Sequence, residues 1–167
     1  MLLENVWKAL EASAVGGFVA GSEWAFPTIE SLHVIAIVTV VGSIMVMDLR
    51  LLGLASRDCA VRQMSRDTLP FTWMAFVLAA ITGSLLFVSK ATTYAGNPWF
   101  QLKMAALVLA GLNMAIFHVF TWKSVANWDA GCAVPLPGKI AAGLSLLFWL
   151  LVVFFGRAIG FTLGIYV

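Results

Sequence analysis

The feature that most constrains this chain is the repetition of long apolar runs. Crossing the hydrocarbon of a bilayer takes about 20 mostly apolar residues of helix. Four windows reach that length, at about 27–52, 70–89, 98–122 and 139–161. Pro27, Pro70 and Pro98 each suit a first helical turn, and the breaker stretch Pro135-Leu136-Pro137-Gly138 precedes the fourth window. The predicted fold is therefore all-α, an integral membrane four-helix bundle spanning residues 21–167. Composition supports this against a soluble alternative. The chain is 62% hydrophobic and 11% charged, where soluble domains are about half apolar and about a quarter charged. With 167 residues it is too small to hide that much apolar surface from water. A net charge of +2, with aromatics confined to apolar runs, argues against nucleic acid as a partner.

Residues 1–20 precede the first window. Leu2, Leu3, Val6, Trp7 and Leu10 recur at helical spacing, with Glu4, Lys8 and Glu11 on the other face. This predicts an amphipathic helix lying on the membrane surface, followed by a flexible break at Gly16-Gly17. Glu4 occupies the place of a basic n-region, so a cleaved signal peptide is not expected. Arg50, Arg57, Arg62 and Arg66 cluster at the first connection, and Lys123 and Lys139 flank the third. The positive-inside rule then places both termini outside, which in a bacterial inner membrane means periplasmic. Lys90, Lys103 and Arg157, at outer span ends, count against that orientation. Cys59 and Cys132 fall in the two inner connections and are expected as free thiols. Small-residue spacings at Ala79/Gly83, Ala106/Ala110 and Gly156/Gly160/Gly164 predict close helix contacts, within the bundle or between copies.

The chain has two histidines, His33 and His118, and both lie inside apolar windows. Ionisable groups at membrane depth are costly and mark functional sites. His33 stands near the start of the first window and His118 near the end of the third. The difference is about fourteen residues, or about 21 Å at 1.5 Å per residue. Two imidazoles so far apart cannot hold one metal ion, so they predict an outer and an inner site. Glu30, Lys90, Tyr94, Lys103 and Arg157 gather at the level of His33. Three cations beside one carboxylate fit either heme propionates or lipid phosphates. Asp48, Arg50, Met114, Trp122 and Lys123 gather at the level of His118. Asp48 can hold the second nitrogen of His118, as metal-ligating histidines require, or pair with Arg50 or Arg62. Interhelical hydrogen bonding and quinone or proton binding are the other uses of an intramembrane histidine. Asn113 is expected to make an interhelical hydrogen bond.

Met45, Met47, Met104 and Met114 lie in windows and suit Cu(I), though Met also fills membrane cores. No phosphate-binding glycine loop, nucleophile elbow or HExxH motif occurs. Whether the chain is an enzyme is left open.

The stretches IESLHVIAIVTVVGSIMVMDLRLLG, TGSLLFVSKATTYAGNPWFQLKM and LAGLNMAIFH resemble an uncharacterised family of bacterial four-helix inner-membrane proteins, over residues 27–161. A more distant resemblance, carried by His33, Lys103 and His118, is to HemJ-type protoporphyrinogen oxidase, and implies heme b. Thr82-Gly83 with Lys103 is similar to the membrane domain of copper-resistance D-type proteins.

Taken together, these readings predict a b-type heme protein that moves electrons in the membrane. His33 and His118 would ligate iron, and Lys90, Lys103 and Arg157 would receive propionates. Glu30, Asp48 and Met114 would support the ligands. A parallel homodimer would bring each histidine opposite its own copy, with a redox protein or quinone as partner. The alternatives are a copper or small-solute transport protein and a cofactor-free structural subunit of a redox complex.

Overall fold

The computed structural model describes residues 2–129 and 133–163. Among these, every regular element is helical: α1 (Leu2–Glu11), α2 (Ala14–Gly21), α3 (Ala25–Leu52), α4 (Val61–Ser89), α5 (Ala91–Gly96), α6 (Pro98–Ile116) and α7 (Leu136–Thr162). A π-helical turn, Phe117–Thr121, and a 3-10 turn, Trp122–Asn127, extend α6. The four candidate spans are α3, α4, α6 with its two extensions, and α7. The 28 residues of α3 amount to about 42 Å, longer than a hydrocarbon core of about 30 Å. Large apolar side chains such as Ile35, Val77, Leu112 and Leu150 stand exposed along the outside of all four. Water would not tolerate so continuous an apolar face, whereas lipid covers it at no cost.

The boundaries differ from the sequence reading in places with local causes. Span two begins nine residues before Pro70, so this proline sits inside α4 rather than in its first turn. The Asp129 carboxylate accepts from Arg62 N–H at 2.8 Å and the Asp129 carbonyl from Val61 N–H at 3.1 Å. These bonds cap α4 from a distant loop, and Gln63 donates to Asp67 one turn on, at 2.9 Å. The polar first turns are thereby held helical before the apolar window begins. The expected break at Gly16-Gly17 is also absent, because both glycines lie within α2. The chain turns instead at Ala12–Ser13. There the Ser13 hydroxyl donates to Leu10 O at 2.6 Å and accepts from Gly16 N–H at 3.1 Å, starting a new helix. Glycine is needed at position 16 for proximity: a Cβ would lie 2.7 Å from Leu10 O and 3.0 Å from Val88 O.

α3 packs against α4 and α7, and α7 packs against α6, while α4 and α6 are not packed along their lengths. The spans therefore form a crescent in the order α4–α3–α7–α6, with a cleft between its tips. At the end carrying the termini, a cluster of Trp7, Phe87, Tyr94 and Phe100 closes that cleft, with Phe87 and Phe100 stacked at 5.3 Å. α1 and α2 lie across this end against α4 and α5. Glu11 accepts from Thr92 N–H at 2.8 Å and from its hydroxyl at 2.6 Å. Asn97, fully buried, caps α6 through Trp99 N–H at 2.9 Å and donates to Thr162 of α7 at 3.1 Å. At the opposite end, Leu51, Val61, Phe117, Val125, Trp128 and Val134 form a compact core. Cys132 and Gly164 lie outside the described residues, and Cys59 is an exposed thiol.

Candidate functional site

The crescent encloses one cavity of about 910 Å³, near the upper end of the range for ligand pockets. It extends from His33 and Lys103 to Asp48, Asn113 and His118, so the two levels expected from the sequence are poles of a single cavity. Its middle is apolar, lined by Ile37, Val40, Ile44, Leu107 and Val108 among others.

At the first pole, His33 Nδ1 lies 3.0 Å from Thr82 Oγ1. Thr82 has one hydroxyl proton, and its oxygen lies 2.7 Å from Leu78 O, a group that only accepts. The hydroxyl therefore donates to Leu78 O and accepts from His33 Nδ1–H. The Ala79 backbone carbonyl is a second acceptor for the ring, so the His33 N–H is directed at α4 on the side of Thr82 and Ala79. The ring fits because position 83 is glycine: a Cβ there would lie 2.9 Å from His33 Cε1. Lys103 lines the same cavity as His33. Its stem passes Gly156, where a Cβ would lie 3.9 Å from Nζ. Among the described residues, Lys103 has neither a salt bridge nor a side-chain hydrogen bond.

The other members of the expected outer cluster are not brought together. Lys90 lies 5.2 Å over the Phe26 ring, and Arg157 lies 4.6 Å over Phe161 beside a shallow pocket with Trp99 and Phe154. Neither lines the large cavity, nor does Glu30, which is exposed near Tyr94. Their long stems reach from the span ends onto aromatic faces, an outcome that residue depth alone could not predict. Burial, and then the Glu30 charge, push the Tyr94 phenol up to about 12, so it stays neutral.

At the second pole, His118 lies in the π-helical turn. Its Nδ1 is 2.9 Å from Met114 O. A carbonyl only accepts, so Nδ1 carries the proton and Nε2 keeps its lone pair. The widened turn is where a helix reorients a side chain, and the ring packs on Trp122 at 5.6 Å with the Phe117 edge at 5.5 Å. Asp48 does not hold this histidine, since the second nitrogen is taken by its own helix. Nor does Asp48 pair with Arg50 or Arg62. Among the described residues the one salt bridge is Lys8–Glu4. Arg50, 2% exposed, donates from Nε to Cys59 O at 2.7 Å and from Nη2 to Asp129 O at 3.2 Å. Asp48 is 5% exposed, its Oδ2 has no hydrogen-bond partner, and Ser145 is its polar neighbour. Asn113 donates to Ala141 O at 2.9 Å, the interhelical bond expected of it.

Met47, Met104 and Met114 line the cavity, and Met45 does not. Among the described residues, no group of three or more His, Cys, Asp or Glu gathers as for a metal ion. Sequence reasoning missed Ser145, which carries no sequence signal beyond a hydroxyl in a span, and the roles of Thr82 and Gly83, which depend on pairing α3 with α4.

Residues 10–162 match a protein family described as a family of unknown function, DUF6644. No curated protein matches the chain. No solved structure matches it either.

Proposed function

We propose that this chain, which belongs to the DUF6644 family, is a b-type heme protein of the bacterial inner membrane that passes electrons. The observation that carries the reading is the pair of imidazoles. Each has Nδ1 within hydrogen-bond distance of an oxygen of a span, and both rings line one membrane cavity. An N–H held by an oxygen acceptor is the arrangement that orients a histidine as a metal ligand and raises its basicity. Heme would supply one-electron chemistry that the chain's own side chains lack.

The residues at the first pole fit the group best. His33 offers its imidazole, Gly83 leaves room for the ring, and Lys103 offers an ammonium group to a propionate. Lys103 is the one residue of the expected cation trio at the cavity wall, so we assign it the propionate and leave Lys90 and Arg157 to the membrane surface. At the second pole no lysine or arginine lines the cavity to receive a propionate. We therefore place one heme per chain, at His33. The distant likeness to HemJ-type proteins, carried by His33, Lys103 and His118, agrees with heme and does not choose between the poles. Arg57, Arg62 and Arg66 at the α3–α4 end favour that end as cytoplasmic, with both termini periplasmic. A parallel dimer would bring a second ligand for iron from the partner copy.

The test is an absorption spectrum of detergent-purified protein, oxidised and dithionite-reduced, with heme quantified per chain. A Soret band with a reduced α-band, near one heme per chain, lost in His33→Ala and kept in His118→Ala, is expected. A featureless spectrum from folded protein made with heme supplied overturns the reading. Loss of heme in His118→Ala alone overturns the choice of pole.

A further inference from the structure

Lys103 is an ammonium group held at membrane depth without an anion. The Asn97–Thr162 hydrogen bond, at 3.1 Å, sets the register of α6 against α7 at the terminal end. Six residues inward from each stand Lys103 and Gly156, at one depth. A Cβ on Gly156 would lie 3.9 Å from Lys103 Nζ, so the stem runs sideways along α7. It does not climb to the head-group layer, as a snorkelling lysine does. Lys103 is the one lysine or arginine lining the cavity, and Asp48, the one acid there, stands at the other pole. Among the described residues no acid forms a salt bridge with Lys103, the one salt bridge being Lys8–Glu4.

A cation in an apolar wall is costly until an anion joins it. The rest of the cavity decides what carries that anion. Three hydroxyls of its wall are committed within the protein: Ser43 donates to Val40 O at 2.9 Å, Thr68 to Met64 O at 2.6 Å and Thr72 to Ser43 at 2.8 Å. The surface they leave between the poles is mostly carbon. Met114, at the far pole, stands eleven residues beyond Lys103 on α6, about 16 Å along the helix. One leaflet of hydrocarbon is about 15 Å deep, so the distance suits a single acyl chain. The ceiling is aromatic. Phe87 and Phe100 line the cavity and stack at 5.3 Å, with Phe100 three residues before Lys103. That ceiling admits a compact anion beside Lys103 and no glycerophosphate head group. Beyond it, the cleft between α4 and α6 opens the cavity sideways to lipid.

We infer that the cavity takes a free long-chain fatty acid from the bilayer, its carboxylate on Lys103 Nζ and its chain running down the apolar wall towards Met114. Charge and shape both select this ligand: one ammonium matches one carboxylate, and one narrow apolar path matches one chain. The inference goes beyond the heme reading and does not need it. Both ligands would use Lys103, so each excludes the other.

The test uses palmitate and methyl palmitate, which keeps the chain and loses the charge. Both are added to the full chain in detergent before heme is supplied, and bound ligand is counted by native mass spectrometry. One palmitate per chain is expected, held at least tenfold more tightly than the ester. Lys103→Met, which keeps a long stem without the charge, should weaken palmitate at least tenfold and leave the ester nearly unchanged, while Lys103→Arg keeps palmitate. Thermal unfolding shows that each variant is folded. Val108→Trp, which narrows the apolar path and leaves Lys103 in place, is a second variant and should weaken both ligands. Equal affinity for acid and ester, or undiminished palmitate binding in a folded Lys103→Met, overturns the inference. Displacement of palmitate by an equal concentration of phosphatidylglycerol overturns the fatty acid as occupant. Charge-dependent palmitate binding by a protein whose heme spectrum is featureless upholds the inference and removes the heme reading. A Soret band without that binding does the reverse.

Discussion

Gly83 shows how one missing methyl group shapes the candidate site. The imidazole of His33 lies where a Cβ at position 83 would approach Cε1 to 2.9 Å, inside any real contact. Gly83→Ala should push the ring away from Thr82, break the Nδ1–H bond and misplace the imidazole. We expect heme loading at a fixed heme concentration to fall about tenfold, read from Soret absorbance per chain. Stability should change by less than about 1 kcal/mol, because a helix interior favours Ala over Gly by a comparable amount. Undiminished loading would show that the ring position does not matter. That each histidine falls within a span was legible in the sequence. Their hydrogen-bond partners were not. The partner of His33 is 49 residues away, and that of His118 exists because of a π-helical turn. A long apolar run contains no signal for either.

At the scale of elements, existence was easier to read than ends. All four spans appear where apolar length placed them, since lipid admits little else than a helix. The errors came from polar residues whose partners lie far along the chain. Pro70 signals a helix start, yet Asp129 caps α4 nine residues earlier. Gly16-Gly17 signals a break, yet Gly16 is there to let α2 lie against α4 and the end of α1. Because the obstructing atoms at Gly16 are backbone oxygens, no rotamer relieves them. Gly16→Ala should therefore lift α2 from the bundle. Hydrogen exchange at residues 14–21 is expected to rise sharply, with the interiors of α3, α4, α6 and α7 unaffected. Unchanged protection of α2 would refute this account of its docking.

At the scale of the whole molecule, a crescent with an unpacked cleft must be held at its ends. The terminal end has the aromatic cluster and the Asn97–Thr162 bond. The opposite end has Arg50, whose guanidinium joins the α3–α4 connection, at Cys59 O, to the α6–α7 connection, at Asp129 O. Its charge sits among carbonyl dipoles at the C-terminal turn of α3, an environment that favours a cation. Hydrogen bonds to a charged group contribute about 1.5–3 kcal/mol each. Arg50→Met keeps the length and removes both bonds, so it should cost about 3 kcal/mol in denaturant titrations in detergent. Asp129→Ala removes only the carboxylate cap on Arg62 N–H and should cost about 1 kcal/mol. The order of the two effects is the informative result. If Asp129→Ala were the more damaging, capping of α4 rather than the Arg50 clamp would hold the hairpins together. With the expected order, the crescent is a pair of hairpins clamped at the loop end. Opening between α4 and α6 should then be easier in Arg50→Met, with faster hydrogen exchange along α4 and α6 as the sign of it.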